Sequence, residues 1–139
     1  MNNFMFPTLI QQLITNNQYP LLTEETVDTF IKQHHYSVLF FCNDEKLFPE
    51  NLDVAVILPE LISVFKGQIV PAIISRADEM KIQRKYGFTT WPSLVFFKDG
   101  SYLGVISKVR NWDEYLSEIQ NLLLSEPSLP PVKIALSQN

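Results

Sequence analysis

Tyr86-Gly87-Phe88-Thr89-Thr90-Trp91-Pro92-Ser93-Leu94-Val95-Phe96-Phe97-Lys98-Asp99-Gly100 reads as a helix end, a proline-marked loop, a buried strand and a hairpin turn in unbroken succession. Gly87 suits the left-handed residue that closes a helix. Trp91-Pro92 is barred from helix, because proline has no N–H and pushes the residue before it toward extended backbone. Residues 93–97 form a continuous apolar run, which fits a strand covered on both faces, and Asp99-Gly100 is the dipeptide of a two-residue hairpin.

Working outward toward the N-terminus, residues 77–86 alternate charged residues with Met80 and Ile82 and are predicted as a surface helix. Residues 68–74 form another apolar run. Its Pro71 cannot donate to a ladder, which assigns the strand to an edge or to a register where that N–H side has no neighbour. Before it, Asp53 is predicted to cap a helix running to about Lys66 and stopped by Gly67. That helix contains Pro59 and is expected to bury Ile57, Leu61, Ile62 and Phe65. Residues 37–42, Ser-Val-Leu-Phe-Phe-Cys, are a second central strand. Thr23 is predicted as the N-cap of a helix carrying Val27, Phe30 and Ile31. A brief extended piece at residues 19–22 precedes it, and a packing helix from Pro7 to about Asn16 bears Leu9, Ile10, Leu13 and Ile14. His34 and His35 stand at no metal-ligand spacing and read as a solvated turn.

Downstream, residues 102–107 return antiparallel to the strand of the opening stretch. Asn111 with Glu114 makes a capping box for a last helix, whose predicted buried side is Trp112, Tyr115, Leu116, Ile119, Leu122 and Leu123. Pro127, Pro130 and Pro131 end regular structure. The organisation expected is one domain over residues 1–124 with an N-terminal helical extension, and a Pro-rich flexible tail over residues 125–139. Its class is α/β: a three-layer sandwich with a mixed four- to five-stranded sheet and helices on both faces.

Composition bounds the function. The chain has 139 residues, 46% hydrophobic and 19% charged, enough for one real core. Its net charge of −4 disfavours nucleic acid and anionic membranes, and a basic peptide is the more compatible partner. Cys42 is the single cysteine, so neither an internal disulfide nor a thiolate zinc site is expected, and a reducing compartment follows. The first Lys or Arg is Lys32, no apolar run approaches the roughly 20 residues of a bilayer span, and no secretory lead or membrane insertion is expected. A cytoplasmic protein without metal or cofactor is the expectation. No Ser/His/Asp arrangement, phosphate loop or carboxylate pair suggests an enzyme.

The order of elements, with Lys85-Tyr86-Gly87-Phe88 and Trp91-Pro92-Ser93-Leu94-Val95-Phe96-Phe97-Lys98-Asp99-Gly100, resembles a thioredoxin over residues 20–124. The resemblance implies a cis Trp91-Pro92 bond facing the loop that carries the redox cysteines in thioredoxins. Here that loop reads Glu45-Lys46-Leu47-Phe48-Pro49-Glu50-Asn51-Leu52, without sulfur. Dithiol exchange needs a second thiol to resolve a mixed disulfide, and there is none.

The missing cysteines, Phe88-Thr89-Thr90-Trp91-Pro92, Tyr102-Leu103-Gly104-Val105, Asn111-Trp112 and the Pro-rich tail are together similar to the HyaE/HupG hydrogenase-expression proteins. That resemblance implies a non-catalytic chaperone for maturation of a nickel–iron hydrogenase, with the small-subunit precursor and its twin-arginine signal peptide as partner. Such a peptide is basic at its start and apolar further on. Asp44, Glu45, Glu50 and Asp53 are the candidate carboxylates for it, with Phe48, Thr90, Trp91 and Pro92 as the apolar and backbone surface. Each has a plainer reading: loop carboxylates are commonly just solvated, Trp91 also suits a packing position, and Phe48 suits a plug for the space left by the cysteines. Two other functions stay open, a monothiol oxidoreductase using Cys42 and a general interaction module using the tail.

Overall fold

A five-stranded mixed sheet in the order β1-β3-β2-β4-β5 lies between two hydrophobic layers. The computed structural model describes residues 8–43 and 49–130. Its strands are β1 (Leu21–Leu22), β2 (Tyr36–Phe41), β3 (Ile69–Ile74), β4 (Ser93–Lys98) and β5 (Ser101–Ser107). The helices are α1 (Thr8–Thr15), α2 (Val27–Gln33), α3 (Asn51–Val64), α4 (Glu79–Tyr86) and α5 (Trp112–Leu124).

Alternation along the strands divides the core. Val38, Phe40, Ile73, Leu94 and Phe96 face one layer with α1, α3 and α5, whereas Leu39, Phe41, Ile74, Val95 and Phe97 face α2 and α4. Because both faces are covered, the central strands read as unbroken apolar runs. β2 pairs β3 in parallel, across a crossover that carries α3, and β4 antiparallel, while β4 and β5 form a hairpin. In the hairpin Asp99 and Gly100 both have positive φ, 51° and 85°, as a two-residue turn of the primed kind requires.

Pro71 sits inside the sheet without cost to it. Ile73 and Ser75 donate toward Pro20 and Leu22, so alternation turns Pro71 to the same side, short of where β1 begins opposite Ile73. Three expectations need correction. Helix α2 starts at Val27, since Thr23 and Thr26 close a turn on each other and the N–H of Glu24 is taken by the Asp78 carboxylate at 2.8 Å. Helix α3 starts at Asn51, two residues before the predicted cap, because the chain already turns at Pro49, whose carbonyl accepts the Leu52 N–H. Along it Val54, Ala55, Leu58 and Leu61 are buried, while Ile57, Ile62 and Phe65 are half-buried. Helix α5 keeps its capping box, with Glu114 accepting the Asn111 N–H at 2.9 Å, yet seats on the sheet only from Tyr115 onward and leaves Trp112 40% exposed.

After α5 the chain to residue 130 has no helix or strand, and the Ser128 N–H bonds the Tyr102 carbonyl at 2.9 Å. The described start of the expected free tail is therefore tied to β5.

Candidate functional site

The antiparallel register places Phe41 of β2 opposite Ser93 of β4. The residues after Phe41 and those before Ser93 consequently leave the sheet side by side at one end. The Trp91-Pro92 bond is cis. Its loop is held by hydroxyls and backbone: Ser93 Oγ donates to the Thr90 carbonyl at 2.5 Å and lies 2.7 Å from Ser107 Oγ, while the Pro92 carbonyl accepts the Lys108 N–H at 2.8 Å. Pro92 is buried; Thr90 and Trp91 are half-buried.

The packing reading describes part of Trp91. Its ring packs edge-to-face on Phe88 at 5.5 Å, and Phe88 packs on Phe41 at 4.8 Å, so one side of the indole belongs to the core and the rest stays open. Glu50 and Asp53 are exposed, one at the N-cap and one in the first turn of α3, where the helix dipole favours carboxylates. Asp44, Glu45 and Phe48 lie outside the described residues.

One residue of this end escaped the sequence reading. Glu79, at the start of α4, is 2% exposed and accepts the backbone N–H of Asn43 with both carboxylate oxygens, at 3.0 and 2.9 Å. The buried indole nitrogen of Trp91 also meets this carboxylate, in a contact short of full hydrogen-bond geometry. Burial pushes the Glu79 carboxyl up to about 8, against the opposing pull of the Asn43 N–H, the Trp91 indole and Arg76. Helical spacing carries the missed signal: Glu79, Ile82 and Tyr86 recur at three and four, and all three are buried on α4. Met80, on the other side of this surface helix, is 51% exposed.

Cys42 is fully buried at the end of β2, and burial, then the charge of Glu79, raises its thiol well above the ordinary range. Thiolate chemistry needs the opposite environment. Alkylation of Cys42 by iodoacetamide in the native protein is expected to be at least about a hundredfold slower than in urea, since reagent reaches it only through opening. Comparable rates would show a thiol ready for chemistry.

Other features lie elsewhere. A cavity of about 340 Å³ opens near the hairpin, at the far end of β4, between Ile31, Lys32, Tyr86, Phe97 and Tyr102. His35 pairs with Asp99 there at 3.0 Å, and among the described residues no group of three or more His, Cys, Asp or Glu side chains is placed to hold a metal. No described helix is long and apolar enough to cross a membrane.

Sheet order, helix layers and a cis proline opposite a loop root with one buried thiol define a thioredoxin-fold protein without a dithiol. Within that class the chain belongs to the family of Hydrogenase-1 expression protein HyaE, which matches residues 9–115. It is 47% identical over 131 residues to hydrogenase expression/formation protein HoxO of Azotobacter vinelandii, covering 94% of this chain and 88% of the relative. Against HupG of Rhizobium leguminosarum bv. viciae it is 35% identical over 126 residues, covering 88% and 83%. The crystal structure of a putative hydrogenase expression/formation protein hupG from Rhodopseudomonas palustris CGA009 is similar with a TM-score of 0.53 and 40% identity, over 75% of this chain and 94% of that one. A mutant thioredoxin from Halobacterium salinarum NRC-1 matches at 0.63 with 16% identity, over 78% and 93%, a likeness of fold alone. Membership supports an accessory role in hydrogenase maturation.

Proposed function

We propose that this chain is a non-catalytic, cytoplasmic chaperone of nickel–iron hydrogenase maturation, which holds the small-subunit precursor by its twin-arginine signal peptide. The observation that carries this reading is the Phe41 to Ser93 register, which sets the root of an acidic loop beside the Pro92 loop while the only thiol is buried. Arginine side chains of the peptide would meet Asp44, Glu45, Glu50 and Asp53, because guanidinium pairs with carboxylate in two parallel bonds. The apolar stretch that follows would cover Phe48 and the open part of Trp91. Strand addition along Thr90 and Trp91, next to Pro92, would set the direction of the peptide. Cys42 takes no part, in keeping with its burial.

Capture of a small-subunit precursor with and without its signal sequence tests the reading; only the form with the signal sequence should be enriched. Reversing Asp44, Glu45 and Glu50 to Lys should weaken capture by about tenfold or more and flatten its dependence on salt, since exposed charge pairs act chiefly through screened attraction. Equal capture by the reversed variant would move the site off the acidic loop.

A further inference from the structure

The two sides of the proposed groove belong to different strands, and among the described residues no ladder pairing joins them past Phe41 and Ser93. One side begins at Asn43, whose φ of 54° is left-handed and turns the chain out of β2 toward the acidic loop. Asparagine tolerates that conformation better than most residues, but something must hold the turn. The other side is the segment before Pro92, with Trp91 at its centre. Glu79 reaches both from a third element, α4.

We propose that Glu79 is the positioning residue of this groove, a carboxylate latch that ties Asn43 to Trp91 and grips both more firmly when it is ionised. As an anion it has two oxygens to accept from, which suffices for the Asn43 N–H and the indole N–H together. Protonation removes the charge that strengthens both hydrogen bonds and leaves a neutral carboxyl, a poorer acceptor, so Asn43 and Trp91 are both held more loosely. The charged and titratable groups facing Glu79 among the described residues are Arg76, ahead of α4, and Cys42, just past β2; Asn43 and Trp91 contribute neutral donors. Its carboxyl, pushed up to about 8, changes state close to neutral pH, well above the range in which exposed carboxylates titrate.

Ionised Glu79 also adds a negative charge behind the groove, so a basic peptide should be held more tightly as the latch closes. That consequence rests on the function proposed above; the latch itself is a property of the free protein.

The experiment uses the full chain in a Trp112→Phe background, so that Trp91 is the only tryptophan; Trp112 is 40% exposed at the start of α5, so its replacement leaves the core intact. Trp91 emission is expected to titrate once between pH 6 and 9.5, with a midpoint near 8, and Glu79→Gln should abolish that step. The amide signal of Asn43 in unaltered protein should follow the same midpoint, a readout that needs no variant to fold. Flat signals from both residues, or a step that survives Glu79→Gln, would overturn the latch. Calorimetric binding of a synthetic peptide with two adjacent arginines and an apolar stretch forms the second arm. Its affinity should rise about fivefold from pH 6.5 to 9 in the parent and stay level in Glu79→Gln. Affinity level in both, while the Trp91 step is present, would overturn the coupling. No binding at any pH would remove the peptide reading and leave the latch to be judged by Trp91 and Asn43.

Discussion

Urea denaturation is expected to show the folded protein losing about 4 to 5 kcal/mol between pH 4.5 and 8 through Glu79 alone, a loss absent from Glu79→Gln. The carboxyl has an ordinary value of 4.5 and about 8 when folded. Across that window the unfolded chain has given up the proton while the folded chain keeps it. More protons bound when folded means stability falls as pH rises, and below 4.5, with both states protonated, the contribution is fully present. Each tenfold change in proton affinity corresponds to about 1.4 kcal/mol, and with Glu79 only 2% exposed solvent does little to screen it. Cys42, also raised, adds its own loss only at higher pH, when the unfolded thiol begins to ionise. Parent and variant should therefore agree near pH 4.5 and diverge steadily to pH 8. Parallel curves would mean the ionised form is accommodated inside the fold without penalty.

Tyr115→Ala is expected to cost about 3 to 5 kcal/mol, the usual range for emptying a large aromatic site. Tyr115 is among the largest fully buried side chains, and it seats α5 on the sheet beside Leu103 and Ile106. Its hydroxyl donates to the Lys108 carbonyl at 3.2 Å, and the Lys108 N–H in turn bonds the Pro92 carbonyl. Lys108 has a positive φ of 66°, so this turn is held from two sides. Tyr115→Phe should keep the packing and lose only that hydrogen bond, about 1 kcal/mol. Chemical denaturation of the two variants separates the terms. A Phe variant as unstable as the Ala variant would assign the effect to the turn under Pro92 and not to the core.

The opening stretch was legible nearly residue by residue, because Gly87, Pro92 and Asp99-Gly100 act through local backbone chemistry that tertiary context does not change. The starts of α2 and α3 were not. At Thr23 a good capping side chain is diverted into a turn, and the free amide at Glu24 finds its acceptor on Asp78, distant in sequence and invisible to local pattern. Pro71 was read correctly only as a choice between two registers, and the length of β1 decides between them. Trp112 went astray because a regular stripe of apolar residues does not say where the helix first touches the sheet.

At the site, Glu50 and Asp53 are exposed at the helix start as their charge suggested, and Thr90, Trp91 and Pro92 form the loop that their order implied. Glu79 was passed over for a physical reason: a glutamate is normally solvated, and its partners here, the Asn43 amide first, lie far away in sequence. Charge alone pointed outward; spacing with Ile82 and Tyr86 pointed in.

The bond from Ser128 to Tyr102 has a bearing on self-association. An open sheet invites a second copy to add its own strand wherever backbone groups at the border are unclaimed. Here one border is a strand of two residues, Leu21–Leu22, and on the other the carbonyl of Tyr102 is already occupied by the protein's own chain. Along both described borders the run of unclaimed backbone is thus short or interrupted, which works against a second copy extending the sheet.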